Sequence, residues 1–386
     1  MAPGTAPDHD LIIVGAGLTG LSLACWLKEL SQAHGQRMPN VRLLEPRTTY
    51  TNDRTWCFWD RMDHPFRELI THRWRHWQVS SGQQRAIQSS DLTPYALLPA
   101  DRLYRHALAC IDACQELTLE QGARVSSVEE EGSGARVITD AGQLRARAVV
   151  DTRMPASLPG SSVNGFWQVF TGLEIECRHH GYDTTTARLM DFQACPSHPC
   201  FVYLLPLDEH HLMVEWTAFR TERDNRDTRS QLEQWLDRAG INDYRVLRSE
   251  SSLLPMIPMR RERGTGRVIR AGVGAGWMRA ATGYHFASCQ RGTRHLAEQI
   301  LAANQRGQWH LRPPTLRARW LEWMDRVFLR ALRRHPDRAP EWFLALFAGT
   351  TAAQMSRFMN DEPGPGDALA IAGALPPAPF LRAALS

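Results

Sequence analysis

Three glycines and one acid near the start of the chain have the types and the spacing to hold a dinucleotide. Gly15, Gly17 and Gly20 stand in G-x-G-x-x-G order after an apolar run, Leu11 to Val14, and before a helix-like run, Leu21 to Leu27. Gly15 permits a tight turn, Gly17 lets a pyrophosphate approach the backbone, and Gly20 lets helix and strand pack closely. The start of the helix offers N–H groups and a positive dipole end to phosphate oxygens. A second strand, Val41 to Leu44, ends in Glu45, whose carboxylate suits the ribose hydroxyls of an adenosine. Glu45 lies further past Gly20 than the usual interval of about 20 residues, and the polar stretch Ser31 to Asn40 absorbs the excess as a surface loop.

The other group with chemistry to offer is an acid in an apolar strand. Met213-Val214-Glu215-Trp216-Thr217 alternates so that Met213, Glu215 and Thr217 share one face and Val214 and Trp216 the other. A lone carboxylate among apolar neighbours is desolvated, which raises its pKa and suits it to donate a proton. The same residues also suit a glutamate on the wet face of an edge strand, so the pattern alone leaves both readings open.

Around these groups the pattern predicts an α/β fold. Residues 100–114 read as a helix, followed by short strands at Leu117–Leu119, Arg124–Val128, Ala135–Thr139 and Gln143–Arg145, and by a parallel strand, Ala148 to Asp151. Flavoprotein oxidoreductases of the glutathione-reductase type continue in this way after their FAD fingerprint. From Val163 to Pro255 the signal is β-rich, with strands at Phe166–Glu176, Arg188–Phe192, Phe201–Leu205 and His211–Thr217 and one amphipathic helix at 228–239. Arg267–Ala271 then returns as a strand before the glycine-rich loop Gly272 to Gly276. Thr282-Gly283-Tyr284 opens a helix to about Ala303, a second segment suited to face a flavin. The expected architecture is a Rossmann-like FAD-binding domain (1–60, 91–160 and 264–305) with an inserted β-sheet substrate domain (61–90 and 161–263) and a C-terminal helical region (306–386). The Pro-rich stretches 255–258 and 361–379 read as linkers or turns.

Composition narrows the class. A chain of 386 residues with 43% hydrophobic content holds two or so globular domains, and a net charge of +4 gives no argument for nucleic acid. The eight cysteines form no C-x-x-C and no zinc-like spacing, so reduced thiols in a cytoplasmic setting and no metal are expected. No signal peptide and no run of 18 apolar residues is evident. Thirteen tryptophans cluster around Trp56, Trp59, Trp74 and Trp77 and again around Trp309, Trp320, Trp323 and Trp342. They suit core packing, an apolar substrate channel or a membrane-facing surface. The helix predicted over Leu316 to Arg334 carries Trp320, Trp323, Met324, Val327 and Ala331 along one stripe. Arg317, Arg319, Arg326, Arg330, Arg333 and Arg334 surround it, a pattern open to core packing or to anionic lipid headgroups.

From the fingerprint to the C-terminus the chain resembles the bacterial lycopene β-cyclases. Arg54-Thr55-Trp56-Cys57-Phe58, Phe166-Trp167-Gln168-Val169-Phe170-Thr171-Gly172, Leu189-Met190-Asp191-Phe192 and Phe201-Val202-Tyr203-Leu204-Leu205-Pro206-Leu207 are similar to segments of that family. So are Thr282-Gly283-Tyr284, Arg357-Phe358-Met359 and Pro376-Pro377-Ala378-Pro379. The resemblance places Glu215 at the family's essential acid. It departs where the family has a second acid, here Trp216, and at Asp151-Thr152-Arg153, where Asp-Gly-Arg is expected. By alternation Trp216 faces away, so Trp216→Glu is expected to be neutral if only Glu215 acts.

The resemblance implies closure of the linear ends of lycopene to β-ionone rings, giving γ-carotene and then β-carotene, without net redox change. It implies reduced FAD, with NAD(P)H as electron donor, held by Gly15, Gly17, Gly20, Glu45, Arg54, Gly276, Thr282, Gly283 and Tyr284. Glu215 would transfer the proton, and Trp56, Phe58, Trp167, Met213 and Thr217 would line a polyene tunnel. The enzyme would sit peripherally on the inner face of the cell membrane. A flavin monooxygenase or prenyl reductase on the same fold, or a flavin-bound scaffold without turnover, are the rival readings.

Overall fold

A computed structural model of the chain describes residues 7–155, 165–193, 199–259 and 266–385, which leaves Cys195 and the start of the β-rich stretch at 163–164 outside the description. Strand β1 (His9–Val14) lies between two parallel neighbours, β2 (Val41–Glu45) and β11 (Gly142–Asp151). β8 (Leu117–Gln121) extends this sheet beyond β2. β10 (Gly134–Thr139) and β9 (Val125–Glu131) extend it beyond β11, which also pairs with β17 (Val268–Arg270). Alternation sends Leu11 and Ile13 to the face covered by α1 (Leu18–Ala33) and α4 (Phe286–Arg306), and Ile12 and Val14 to the other face. α2 (Ala100–Asp112) buries Leu103, Tyr104 and Ala107 in the first of these cores.

Residues 143–145 and 148–151 form one strand, not two: β11 pairs antiparallel with β10 and parallel with β1 along one unbroken run. Thr152 stands where glycine is expected, yet it needs no positive φ. Its hydroxyl donates to the carbonyls of Val14 (2.8 Å) and Gly15 (3.2 Å), so the side chain fastens the glycine turn.

The second seven-stranded sheet runs β16 (Tyr244–Met256), β12 (Phe166–Cys177), β15 (His211–Arg220), β14 (Cys200–Pro206), β13 (Thr186–Phe192), β5 (His76–Ser81) and β6 (Gln84–Ser89). Among these neighbours only β13 and β5 are parallel. One face packs dry against α3 (Thr228–Arg238), where Val214 and Trp216 meet Leu232 and Trp235. The other face joins a core with the C-terminal helices and with a small sheet of β3 (Thr55–Trp59), β7 (Tyr95–Pro99) and β4 (His72–Trp74).

The C-terminal helices are α5 (Arg319–Arg334), α6 (Ala339–Ala348), α7 (Ala352–Met359), α8 (Pro365–Ala374) and α9 (Pro377–Ala384). The stretch 361–379 is thus mostly helical rather than linker: Pro365 and Pro377 open helices, where a missing N–H is harmless. Likewise Pro255 and Met256 end strand β16 rather than forming a turn. The stripe on α5 is graded, with Val327 and Ala331 buried while Trp320 and Trp323 stand exposed. Arg317 is no surface charge; it is buried against Asp361 at 2.7 Å. Cys25, Cys57, Cys110, Cys114, Cys177 and Cys289 carry free thiols, whereas Cys200 is disulfide-bonded, against the expectation of reduced thiols throughout.

Candidate active site

Where the second sheet faces the small sheet, a cavity of about 170 Å³ opens onto Glu215. Sheet register decides what surrounds this acid. Gly172 on β12 pairs with Glu215 on β15 on one side and with Glu250 on β16 on the other. Both carboxyls therefore share one rung and one face, with a glycine between them. A Cβ at Gly172 would lie 3.3 Å from Glu250 Cγ and 3.6 Å from Glu215 Cβ, so any side chain there would fill the gap.

The two acids have different company. Glu215 is buried, and Thr217 donates its hydroxyl to Glu215 Oε1 at 2.5 Å. Burial pushes its carboxyl up to about 8, the neighbouring Glu250 adds to the rise, and the Thr217 hydrogen bond opposes it. Glu250 accepts from Arg248 at 2.5 Å and from Thr55 Oγ1 at 3.1 Å. Burial raises Glu250 too, but Arg248 and Thr55 oppose the rise. Both carboxyls are thus raised by burial, but Glu250 has a guanidinium and a hydroxyl as donors whereas Glu215 has one hydroxyl. Arg248 is itself shared with Glu174 at 3.0 Å.

Aromatic side chains complete the lining, with Tyr203 beside Glu215 in register on β14 and Trp59, Tyr95 and Tyr284 coming from outside that sheet. The hydroxyl of Tyr95 shares hydrogen bonds of 3.0 Å with both Tyr203 and Tyr284, and Trp59 packs edge-on against Tyr95 and Tyr284. Met213 lines the cavity, whereas Thr217 reaches it through its bond to Glu215. Trp56, Phe58 and Trp167 do not line it. On β3 the odd residues Thr55, Cys57 and Trp59 face the cavity. The even residues turn away: Phe58 stacks on Phe286 with ring centroids 4.0 Å apart and Trp56 meets Tyr104 edge-on. On β12 the pairing of Gly172 with Glu215 puts even residues on the cavity face, so Trp167 falls in the dry core behind the sheet. Trp216 lies in that same core, as alternation predicts, so an acid at 216 would be buried behind the sheet and away from Glu215.

At the other end, the glycine turn has the shape a dinucleotide needs. A Cβ on Gly20 would sit 2.0 Å from the carbonyl oxygen of Gly15, so only glycine lets α1 approach. A Cβ on Gly17 would meet nothing within 4 Å, which marks open space before a helix start that no side chain caps. Glu45 Oε2 accepts the Ala16 N–H at 2.7 Å and Oε1 accepts from Arg47 at 2.8 Å. Burial pushes Glu45 up, but these bonds outweigh it and hold the carboxyl below the usual range. Arg54 lies beside this cluster, bonded to Asp53, which also accepts from Tyr104.

The segment that the sequence suggests for a flavin, Gly276 and Thr282–Tyr284, joins the two ends. Gly276 and Gly283 adopt φ of +76° and +72°, and a Cβ on Gly283 would come within 2.7 Å of Gln168 Oε1 in the cavity. Helix α4 begins at Phe286, after Thr282-Gly283-Tyr284 rather than at it. Arg279 holds this turn: its N–H donates to the Tyr284 carbonyl, and its buried guanidinium pairs with Asp325 of α5 at 2.8 Å and bonds the Phe358 carbonyl of α7. Sequence reasoning missed Glu250, Arg248, Arg279 and Tyr95, and it had Trp59 only within a tryptophan cluster and Tyr203 only within a family-like segment. Glu250 lies between serines with no apolar alternation, and only its register with Gly172 marks it.

The family model described as lycopene cyclase protein matches residues 10–385. The chain belongs to the lycopene cyclase family. A search of curated proteins finds no match. Solved structures share the fold at low identity. A geranylgeranyl bacteriochlorophyll reductase-like protein from Thermoplasma acidophilum is 12% identical with TM-score 0.70, over 97% of this chain and 98% of that one. The p-nitrophenol 4-monooxygenase PnpA from Pseudomonas putida is 15% identical with TM-score 0.58, over 97% and 96%. Halogenase PltM in complex with phloroglucinol and FAD is 10% identical with TM-score 0.54, over 90% and 78%. This member of the lycopene cyclase family thus has the α/β fold of those flavoproteins, and among its described residues no helix is long and apolar enough to cross a membrane.

Proposed function

We propose that this chain is a lycopene β-cyclase that closes both ends of a linear carotenoid by acid–base chemistry. The observation that carries the reading is Glu215, a buried carboxyl raised to about 8 on the floor of an aromatic cavity. In this mechanism Glu215 gives its proton to the terminal double bond of the polyene, which leaves a tertiary cation. The next double bond attacks that cation and closes a six-membered ring. The carboxylate left on Glu215 then takes a ring proton, so the β double bond forms and the acid is restored. The faces of Trp59, Tyr95, Tyr203 and Tyr284, and the carboxyl of Glu250 paired with Arg248, stabilise positive charge while it exists.

The first sheet serves as the cofactor domain and the second as the substrate domain in this reading. Gly15, Gly17 and Gly20, Glu45, Arg54, and the Gly276 and Thr282–Tyr284 turns fit FAD, with NAD(P)H as its source of electrons. When bound and reduced, that group supplies negative charge near a developing cation. The protein docks peripherally on the inner face of the cell membrane, where its substrate dissolves.

Expression in lycopene-producing bacteria should convert red lycopene to bicyclic product. With purified, flavin-loaded protein under anaerobic conditions, product should exceed NADPH oxidised many-fold. A strict one-to-one ratio would overturn the isomerase reading in favour of a reductase, and an oxygen requirement would favour a monooxygenase.

A further inference from the structure

A second and larger cavity, about 290 Å³, lies among the C-terminal helices α5 to α9. It adjoins the Glu215 cavity, and Ala281, Thr282, Phe343 and Met359 form the wall that the two share. Its inner wall is carbon, from residues such as Met324, Phe328, Phe358 and Ile371. The two charged side chains that border it, Arg279 and Asp325, are already paired with each other. A lining of this kind offers no recognition of a polar ligand and suits a hydrocarbon.

The outer end opens at the surface. Trp323 and Leu381 line the cavity and are 48% and 62% exposed, with Ala372 and Pro377 exposed beside them. Exposed Trp320 lies on α5 and exposed Leu385 directly follows α9, and the exposed Arg319, Arg334 and Arg382 lie on these two helices. Aromatic and aliphatic side chains with arginines around them are the composition of a surface that meets lipid headgroups.

We propose that α5 to α9 form a sleeve through which a linear polyene passes from the bilayer, its leading end at Glu215 and its remaining chain held among the helices. The inference rests on the cyclase reading and deepens it: the substrate must be long, acyclic along its middle and free of polar groups. It also gives Arg279 a second purpose. By tying the Thr282–Tyr284 turn to α5 and α7, this residue holds the neck between the two cavities in place.

The test uses the flavin-loaded full chain carrying Glu215→Gln, so that binding is read without turnover. Lycopene retained per chain after gel filtration from detergent micelles should approach one. Ala372→Trp, at an exposed rim position, should lower it about tenfold while the melting temperature holds. Leu369→Trp, on the same helix but outside the cavity lining, should leave it unchanged. With Glu215 intact, Ala372→Trp should depress kcat/KM for lycopene about tenfold. A short hydrocarbon with the same terminal double bonds should be turned over as before. Unchanged retention and turnover of lycopene in Ala372→Trp would overturn the sleeve and leave the cyclase standing. Retention that depends on residue 372, in a chain whose native form never cyclises lycopene, would uphold the sleeve and sink the cyclase reading.

Discussion

Glu45 and Glu215 are the same residue type and nearly equally buried, 4% and 7% exposed, yet their carboxyls are driven apart. Glu45, at the end of β2, accepts from a backbone N–H and from a guanidinium, and stays below the ordinary carboxylate range. Glu215, in the middle of β15, has one hydroxyl donor and a second carboxyl two strands away, and rises to about 8. Burial penalises both charges, that of Glu215 more heavily, and only at Glu45 do the partners outweigh it. A dinucleotide site wants a permanent anion at its ribose end. A proton-transfer site wants an acid that still holds its proton at neutral pH. In the proposed function the two ends of the molecule would meet these needs with one amino acid by changing what surrounds it.

The sharpest way to break the comparison is Glu215→Gln. The amide keeps the shape and accepts from Thr217, but it cannot give up a proton. We expect fold and flavin content to be retained and cyclisation to fall about 10²–10⁴-fold, read as bicyclic product at matched flavin. Near-normal yield would remove Glu215 from the chemistry.

A second experiment creates a third buried glutamate with neither kind of partner. Trp216 points into the dry core against α3, among Val214, Leu232 and Trp235. Trp216→Glu would restore the acid pair of related sequences but place the new carboxyl behind the sheet, away from Glu215. The cost should be roughly 3–5 kcal/mol of stability, from an unpaired buried charge and lost packing. Denaturant unfolding measures it, and a neutral result would mean the face assignment is wrong.

The third contrast is in pH. Glu215 has its folded pKa raised, so between the ordinary carboxylate value and about 8 the native state holds a proton that the unfolded chain releases. Its contribution is fully present below the unfolded pKa and is lost as pH rises through 8, at no more than about 1.4 kcal/mol per pH unit. Glu45 has the opposite sign: its contribution is present at neutral pH and is lost as pH falls through its lowered pKa. The stability of native protein minus that of Glu215→Gln should therefore decline from pH 5 to 8. A flat difference would show that Glu215 ionises normally.

The same contrast explains what could be read from sequence. The Glu45 end is local: strand, glycines, helix, strand and acid follow in order, and Gly20 against Gly15 needs no distant partner to be understood. Alternation likewise put Met213, Glu215 and Thr217 on one face, because β15 reports on itself. Which residues of other strands share that face is a matter of register, and register is non-local. Trp167 and Gln168 look equally plausible in sequence, and only the pairing of Gly172 with Glu215 chooses Gln168. Trp56 and Trp59 differ by the same parity. Glu250, paired through Gly172 and held by Arg248, has no local signature at all. The helices within 361–379 were hidden because Pro365 and Pro377 read as breakers, although each opens a helix where proline is tolerated.

The smallest expected effect isolates the last difference between the two acids, the quality of the donor. Glu45 has a guanidinium and an amide; Glu215 has the Thr217 hydroxyl alone, at 2.5 Å. Thr217→Val keeps the shape and removes that donor in a fully buried position. The bond favours the ionised form, so losing it should raise Glu215 further, by roughly one pH unit or less because the hydroxyl also serves the protonated acid. If Glu215 acts while protonated, the alkaline limb of the kcat/KM profile should move to higher pH by that amount, with only a few-fold change in the plateau. Movement to lower pH would mean that Thr217 stabilises the neutral acid instead of the carboxylate.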